Sequence, residues 1–309
     1  MRIHAMRARH SPPASAPAGS PASGGAFRTL PAIDSPASMP QATRMRPAPR
    51  LLLNTPDIEL WPGGLLRARS SHDARLLARA RAVLRRKRDG RYLAALLPEG
   101  LMPMVERLAR EPGIDEALQR LEDPLLRRGP PAETPLPLER LNERLHRLGL
   151  DESYADRSGL ALVAEPSCLH LAGLDRYRRA LWLTRGAARA WQRLRGAAAA
   201  DGIALDAISG YRSHDYQLGI FERKLARGLD VAQILTVNAA PGYSEHHGGN
   251  ALDIGTPGEP PAEESFERTP AFAWLQANAG DFGFRMSYPR DNPHGIVYEP
   301  WHWCHVAGA

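Results

Sequence analysis

Two short stretches that lie far apart in the chain are rich in histidine and acidic residues. The first places His246 and Asp253 on either side of a Gly248-Gly249 pair, and the second contains Glu299 and His302. Two imidazoles and one carboxylate can form a catalytic zinc site that leaves the fourth position open for water. The remaining carboxylate, Glu299, is then the candidate general base. The fold must therefore bring the two stretches together, with His246, Asp253 and His302 as the zinc ligands.

These residues fall within motifs that resemble a known enzyme family. The fixed positions of Ser-x-His-x-x-Gly-x-Ala-x-Asp and Glu-x-x-His are occupied by Ser244, His246, Gly249, Ala251, Asp253, Glu299 and His302. Upstream, residues 209–213 and Gln217 form a Ser-Gly-Tyr-Arg-Ser-x-x-x-Gln element. Three motifs in this order resemble the VanY-type zinc D-alanyl-D-alanine carboxypeptidases and the related enzymes that cut peptidoglycan peptides. The resemblance covers roughly residues 170–306.

The resemblance implies a fold and several further roles. The implied fold is α+β, with a small antiparallel sheet that carries the zinc and is flanked by helices. Arg212 is implied to stabilise the oxyanion or to bind the substrate carboxylate, with pairing to a local acid such as Asp215 as the alternative. Hydrogen bonds to the substrate are implied for Ser213, Gln217 and Ser244. Trp301 either walls the pocket or belongs to the core, and His247 is expected beside the site or at the surface.

Local signals place helices and strands around these motifs. The predicted helices begin at the caps Thr184, Ser213, Asp230 and Thr269, the last of which precedes a proline. Strands are predicted over residues 203–209 and 250–254, and two more within residues 283–306. Alternation places Ala251 and Asp253 on one face of the second strand, and Leu252 and Ile254 on the other. A zinc peptidase domain is therefore predicted over residues 160–309.

Residues 51–155 predict a helical accessory region without a catalytic constellation. Ser71 can cap a helix whose apolar face contains Leu76, Leu77, Ala80, Val83 and Leu84. Further helices are predicted over residues 104–110, 114–121 and 138–148, and prolines separate them. The sequence assigns no role to this region.

Residues 1–50 form a leader rich in Pro, Ala, Ser and Arg. Such a composition cannot bury enough apolar area to offset the entropy of ordering, so the leader is predicted to be disordered. It lacks the apolar core of a secretory signal peptide, and a start at Met39 or Met45 is an alternative. No apolar run in the chain approaches the length of a transmembrane helix. The substrate class nevertheless predicts the cell envelope or periplasm as the location.

The formal charge of +6 arises from 40 Lys and Arg against 34 Asp and Glu. A solvated basic surface accounts for this excess, so no nucleic-acid partner is expected. Cys168 and Cys304 are the two cysteines, too few for a disulfide framework.

The motifs and the resemblance together predict a zinc-dependent carboxypeptidase that hydrolyses the terminal D-Ala bond of peptidoglycan stem peptides. One alternative is an endopeptidase of the same fold, which cuts within the stem or the cross-link. The other is a module that holds zinc and binds without catalysis. The presence of Glu299 and Arg212 argues against the module.

Overall fold

The computed structural model describes residues 51–122, 131–138, 140–151 and 153–306. The predicted leader, residues 1–50, lies outside this part of the chain. The strands are β1 (Leu51–Asn54), β2 (Ile58–Pro62), β3 (Ala82–Arg86), β4 (Tyr92–Leu97), β5 (Gly100–Pro103), β6 (Cys168–Leu174), β7 (Ala180–Leu183), β8 (Asp206–Ser209), β9 (Ala251–Gly255), β10 (Phe284–Met286) and β11 (His302–His305). The α-helices are α1 (Ser71–Leu77), α2 (Ile114–Glu122), α3 (Leu141–Arg147), α4 (Ser153–Ser158), α5 (Arg185–Ala200), α6 (His214–Leu225), α7 (Val231–Leu235) and α8 (Pro270–Asn278).

The strands form two antiparallel sheets. The larger sheet has seven strands in the order β5-β4-β3-β2-β1-β6-β7, and the smaller has four in the order β10-β11-β9-β8. In the smaller sheet β11 pairs with β9 so that His302 lies opposite Asp253. This register brings the two metal-binding stretches side by side. The α+β class with a small antiparallel sheet flanked by helices is confirmed.

A single apolar core joins the small sheet to helices α5 and α8. Trp191 and Leu194 on α5 are fully buried in it, together with Leu252 and Ile254 on β9. Phe272 on α8 packs in the same cluster. Because the apolar residues of β9 face this core, the residues between them face away from it. Asp253 is thereby placed on the side of the sheet where the metal residues gather, as alternation predicted.

The four caps predicted for α5 to α8 are confirmed, but the cap predicted at Ser71 is wrong, because Ser70 caps α1 by accepting the Asp73 N–H. The side-chain oxygens of Thr184, Ser213, Asp230 and Thr269 accept a backbone N–H from the first turn of α5, α6, α7 and α8. The helices predicted over residues 114–121 and 138–148 are also present, as α2 and α3, but the helix predicted over residues 104–110 is reduced to a 3₁₀ turn, Leu108–Arg110. None of the helices in the described ranges is long and apolar enough to cross a membrane.

The helical prediction is wrong for most of residues 51–103, which form five strands and one short helix. Helix α1 ends at Leu77, and Val83 and Leu84 belong to strand β3. Both residues are fully buried, so β3 lacks the alternation that distinguishes a half-buried strand from a helix. Asp89-Gly90, with Gly90 at φ +69°, lies in the turn between β3 and β4 and is the hairpin signal that identifies these strands.

The large sheet crosses the boundary that the sequence suggested near residues 155–160. Strand β1 pairs with β6 on the far side of that boundary, with Leu51 opposite His170. Helix α3 likewise shares a core with α6, through Leu145 and Phe221 among others. The strands and helices from Leu51 onward therefore belong to one compact unit.

Candidate active site

A cluster of potential metal ligands forms where β9 and β11 lie side by side. His246 lies on a 3₁₀ turn, Glu245–Gly248, just before β9. His246 Nε2 and His302 Nδ1 are each 3.2 Å from Asp253 Oδ1. Tetrahedral zinc, with bonds of about 2.0–2.2 Å, holds its ligand atoms roughly 3.3 Å apart. The three side chains therefore fit a zinc ion in both donor type and spacing.

Gly249 makes the bend that carries the chain from His246 into β9. Its φ is +69°, in the left-handed region that favours glycine. A Cβ at this position would lie 2.5 Å from Leu169 Cδ2, much closer than packed carbon atoms approach. Glycine is therefore needed both for the bend and for its close contact with β6.

Hydrogen bonds on the far side of each imidazole fix the orientation of both rings. His246 Nδ1 donates to the Gly210 carbonyl at 2.7 Å, and His302 Nε2 donates to Glu245 Oε2 at 2.9 Å. Such bonds hold a ligand histidine in the tautomer that presents its other nitrogen to the metal. Burial opposes ionisation of Glu245, but the hydrogen bond and charge of His302, together with Ser287 and Arg285, outweigh burial and lower the pKa of Glu245 to about 2. Glu245 is therefore an anion at neutral pH.

Glu299 lies beside the ligand cluster without joining it. Its Oε2 is 3.9 Å from His302 Nδ1, a longer distance than the 3.2 Å between that nitrogen and Asp253 Oδ1. Burial raises the pKa of Glu299 to about 7, against the opposing attraction of His302. A carboxylate that is poised near neutral pH is suited both to accept and to release a proton.

Arg212 contacts the same cluster from the loop that precedes α6. Its Nη2 donates to Asp253 Oδ2 at 2.8 Å, so the second oxygen of the ligand carboxylate is also bound. Asp215 instead accepts from Arg144 Nε at 2.7 Å, and the alternative that pairs Arg212 with Asp215 is wrong. His247 is fully buried and donates from Nδ1 to the Arg212 carbonyl at 2.7 Å. His247 therefore holds the backbone of Arg212 in place.

A cavity of about 310 Å³ joins the metal cluster to most of the predicted substrate contacts. Its walls include Arg212, Gln217, Ser244, Glu299 and Trp301, along with the three ligand residues. Ser213 is outside this lining, because it is buried and its hydroxyl accepts the Tyr216 N–H at 3.1 Å as the cap of α6. Trp301 combines both of its predicted positions, since it lines the cavity and also packs against the core.

The sequence profile of the VanY family, described as D-alanyl-D-alanine carboxypeptidase, matches residues 180–308. VanXYC of Enterococcus gallinarum, a bifunctional D-Ala-D-Ala dipeptidase and carboxypeptidase, is 30% identical over 133 residues, which are 41% of this chain and 68% of that protein. The chain belongs to the VanY family. YodJ of Bacillus subtilis (strain 168) is 37% identical over 130 residues, 40% of this chain and 46% of that protein. The chain thus spans about half the length of this relative.

Among solved structures, VanYB in complex with D-alanine-D-alanine is similar to this chain, with 32% sequence identity and a TM-score of 0.35. The similarity covers 41% of this chain and 72% of that one. The VanY match begins at residue 180, so β1 to β6 lie outside it.

Three polar residues that line the cavity of this VanY-family chain were not identified from the sequence. Lys224, Asn238 and Tyr288 line the cavity, and Lys224 Nζ donates to Asn238 Oδ1 at 2.5 Å. The ring of Tyr288 lies 4.8 Å from that of His302, between centroids. Tyr288 could have been identified from the sequence, because Ser287-Tyr288-Pro289 also follows the pattern of the family. Lys224 could not, because it lies in the last turn of α6, where a lysine is usually a solvated charge.

A buried ion pair fixes the Arg212 loop from the side of the large sheet. Lys87, which follows β3, places its Nζ 2.6 Å from Glu165 Oε2. The same carboxylate accepts the Tyr211 hydroxyl through Oε2 and the His214 N–H through Oε1. Burial opposes ionisation of Glu165, but the charges of Lys87 and His214 and the hydrogen bonds from Lys87 and Tyr211 together outweigh burial and lower the pKa of Glu165 to about 2. Residues on both sides of Arg212 are therefore bound to one carboxylate.

Proposed function

We propose that the protein is a zinc-dependent carboxypeptidase that removes the terminal D-alanine from peptidoglycan stem peptides. The observation that carries this proposal is the joint placement of three zinc-type ligands, a poised carboxylate and a cation in one cavity. VanXYC, a relative, is named as a D-Ala-D-Ala carboxypeptidase, and VanYB was solved with D-alanine-D-alanine. Incubation with purified muropeptides tests the proposal directly. Mass spectrometry should show the loss of single alanine residues from pentapeptide stems, and unchanged muropeptides would refute it.

Each side chain of the site then has one part in the reaction. Held by His246, Asp253 and His302, zinc supplies Lewis-acid chemistry, which activates water and polarises a carbonyl. Glu299 accepts the proton of the attacking water and passes it to the amine that leaves. Arg212 binds the charge of the substrate carboxylate or of the oxyanion that develops. Gln217, Ser244 and Trp301 line the same cavity and contact the substrate there.

Ser213 supports this site through its backbone position and not through a direct hydrogen bond. Its hydroxyl is occupied by the Tyr216 N–H, and the residue is 3% exposed. An N-cap fixes where a helix begins. Because Arg212 is the preceding residue, the cap on α6 determines where the guanidinium enters the cavity. We therefore assign Ser213 to the placement of Arg212.

Zinc content tests the ligand assignment. The wild-type chain should hold about one zinc ion, and chelation should remove both the metal and the activity. His246→Ala should purify with little zinc, because two remaining ligands bind it much more weakly. His305→Ala is the matched control, since His305 is half-buried on β11 and outside the cluster. Elemental analysis that finds equal zinc in both variants would contradict the assignment.

A free carboxylate at the end of the substrate separates a carboxypeptidase from an endopeptidase. Arg212 keeps its bond to Asp253 when the substrate is an amide, but it loses its charge-assisted hydrogen bonds to the substrate carboxylate. Amidation of the terminal D-Ala should therefore lower kcat/KM by roughly 10- to 100-fold. Arg212→Ala should be slow on both substrates and should no longer distinguish them. Steady-state kinetics on paired acid and amide peptides measures both effects. Equal wild-type rates on the two peptides would favour the endopeptidase.

A further inference from the structure

The catalytic cavity is lined by a second cation besides Arg212. Lys224 lies in the last turn of α6 and lines this cavity together with Gln217 of the same helix. Gln217 and Lys224 are seven residues apart, about two helical turns, so both side chains lie on one face of α6. Arg212 immediately precedes the N-cap of this helix. The cavity therefore extends along α6 and has a positive charge towards each end of the helix.

Helix geometry gives the scale of this charge separation. Helix α6 has 12 residues, and a rise of about 1.5 Å per residue makes it about 18 Å long. Side chains of a helix lean towards its N-terminus, so Lys224 leans back towards Gln217 and the metal. With both long side chains in one cavity, the two charges are on the order of 10 Å apart. Two or three residues of an extended peptide, at about 3.3–3.6 Å each, span such a distance.

Lys224 lacks an acidic partner in the part of the chain that the structure describes. Its Nζ donates to Asn238 Oδ1 at 2.5 Å, which is a neutral acceptor. Arg212, in contrast, is already bound to the carboxylate of Asp253. An ammonium group carries three N–H donors, so two of those on Lys224 remain for a ligand in the cavity.

The surroundings of Lys224 favour an anionic ligand. Burial lowers the pKa of Lys224, while the charge of Glu299 in the same cavity raises it. The ammonium is thus partly withdrawn from water, a cost that a charge-assisted hydrogen bond to a carboxylate offsets. Apolar side chains also strengthen a contact between charges by excluding water, and the lining contributes Val237, Ile296 and Val297.

We propose that Lys224 binds a second carboxylate of the substrate, two or three residues before the terminal one. The proposal rests on the proposed function, which places the terminus of a stem peptide at the metal end of the cavity. Stem peptides offer two such groups. One is the α-carboxylate of a D-glutamate that is joined through its side chain in second position, and the other is the side-chain carboxylate of a diaminopimelate in third position. The consequence is a preference for stem peptides in which an internal carboxylate is free and not amidated.

Two pairs of pentapeptides test the preference and identify the carboxylate. The first pair has D-glutamate or D-isoglutamine in second position, with lysine in third. The second pair has diaminopimelate or lysine in third position, with D-isoglutamine in second. In at least one pair, the wild-type protein should show a kcat/KM about tenfold higher for the peptide with the free carboxylate, through a lower KM. Equal values within both pairs would overturn the proposal.

Lys224→Met should remove the preference, because methionine keeps an apolar stem but lacks the ammonium. Lys224→Arg keeps the positive charge and should retain part of the preference. Arg227→Met is the matched control, since Arg227 is exposed just beyond the end of α6 and outside the cavity lining. It removes a nearby charge and should leave the ratio within each pair unaltered. A preference that survives in Lys224→Met, or that Arg227→Met removes equally, would contradict the proposal, and Lys224→Gln gives the same test if Lys224→Met does not fold.

Binding without turnover separates this proposal from the proposed function. Glu299→Gln lacks the proposed base and should bind the peptides without cleaving them. Titration calorimetry on this variant should show tighter binding of the peptide with the free internal carboxylate, and the addition of Lys224→Met should make the two affinities equal. Cleavage by the wild-type protein with equal affinities within both pairs would refute the role of Lys224 alone. Preferential binding without cleavage by the wild-type protein would refute the proposed function and keep the carboxylate site at Lys224.

Discussion

Glu299→Gln is expected to lower kcat by about 10²- to 10⁴-fold while the protein keeps its zinc. The amide has nearly the same shape as the carboxylate but cannot accept the proton of the attacking water. Zinc is retained because Glu299 Oε2 lies 3.9 Å from His302 Nδ1 and outside the trio of ligand atoms. Single-turnover kinetics with parallel elemental analysis measures both properties. KM should change little, since the substrate groups bound in the cavity are unaltered.

Glu222→Gln serves as the control for this variant. Glu222 is exposed on α6, and the same chemical change there should leave kcat unaltered. Wild-type turnover in Glu299→Gln would show that Glu299 is structural. Loss of zinc in that variant would instead make Glu299 a fourth ligand and would close the position reserved for water.

Lys87→Met is expected to destabilise the protein by about 3–5 kcal/mol at pH 7. Lys87 and Glu165 are 3% and 4% exposed, so removal of the ammonium leaves a carboxylate buried without its counter-charge. Two further hydrogen bonds, from Tyr211 and His214, converge on the same carboxylate and hold it in place. Urea denaturation measures the change in the free energy of unfolding. Arg88→Met, which removes an exposed charge from the next position, should change it by less than about 0.5 kcal/mol.

The destabilisation caused by Lys87→Met should be larger at neutral pH than in acid. The folded-state pKa of Glu165 is about 2, below its ordinary value of 4.5. A depressed carboxyl pKa contributes stability that is present above pH 4.5 and is lost as the pH falls towards 2. The difference in the free energy of unfolding between wild type and Lys87→Met should therefore be largest near neutrality and should become smaller in acid. A difference that stays constant from pH 7 to pH 3 would mean that the ion pair contributes little. Lys87→Met/Glu165→Leu should recover part of the loss, since no buried charge remains.

The zinc site could be predicted because its signals are local. His246, Gly249 and Asp253 lie in one motif, and the two-residue period of a strand decides which side chains of β9 reach the metal. The caps of α5 to α8 are equally local, since each depends on one side chain and the next three residues. His302 lies 49 positions from Asp253, and it was assigned by its own Glu-x-x-His motif and not by a sequence neighbour.

The rest depends on partners that the sequence does not bring together. Lys87 and Glu165 are 78 positions apart, and neither has a neighbour that predicts the pair. Glu245 stands at a variable position of its motif, and only the fold places it against His302. Strand β3 was mistaken for helix because both of its faces are covered, which removes the alternation of a strand. Pairing across the large sheet decides that structure, and local propensity does not.

The pairing of β1 with β6 has a consequence for the integrity of the catalytic part. Leu51, Leu52 and Leu53 pair with His170, Leu169 and Cys168 in an uninterrupted ladder. A chain that began beyond β1 would leave β6 with a free row of N–H and C=O groups beside fully buried apolar residues such as Leu169. Such a bare edge is a template for strands from other molecules and leads to aggregation. The amino-terminal strands thus cover an edge through which the catalytic part would otherwise self-associate.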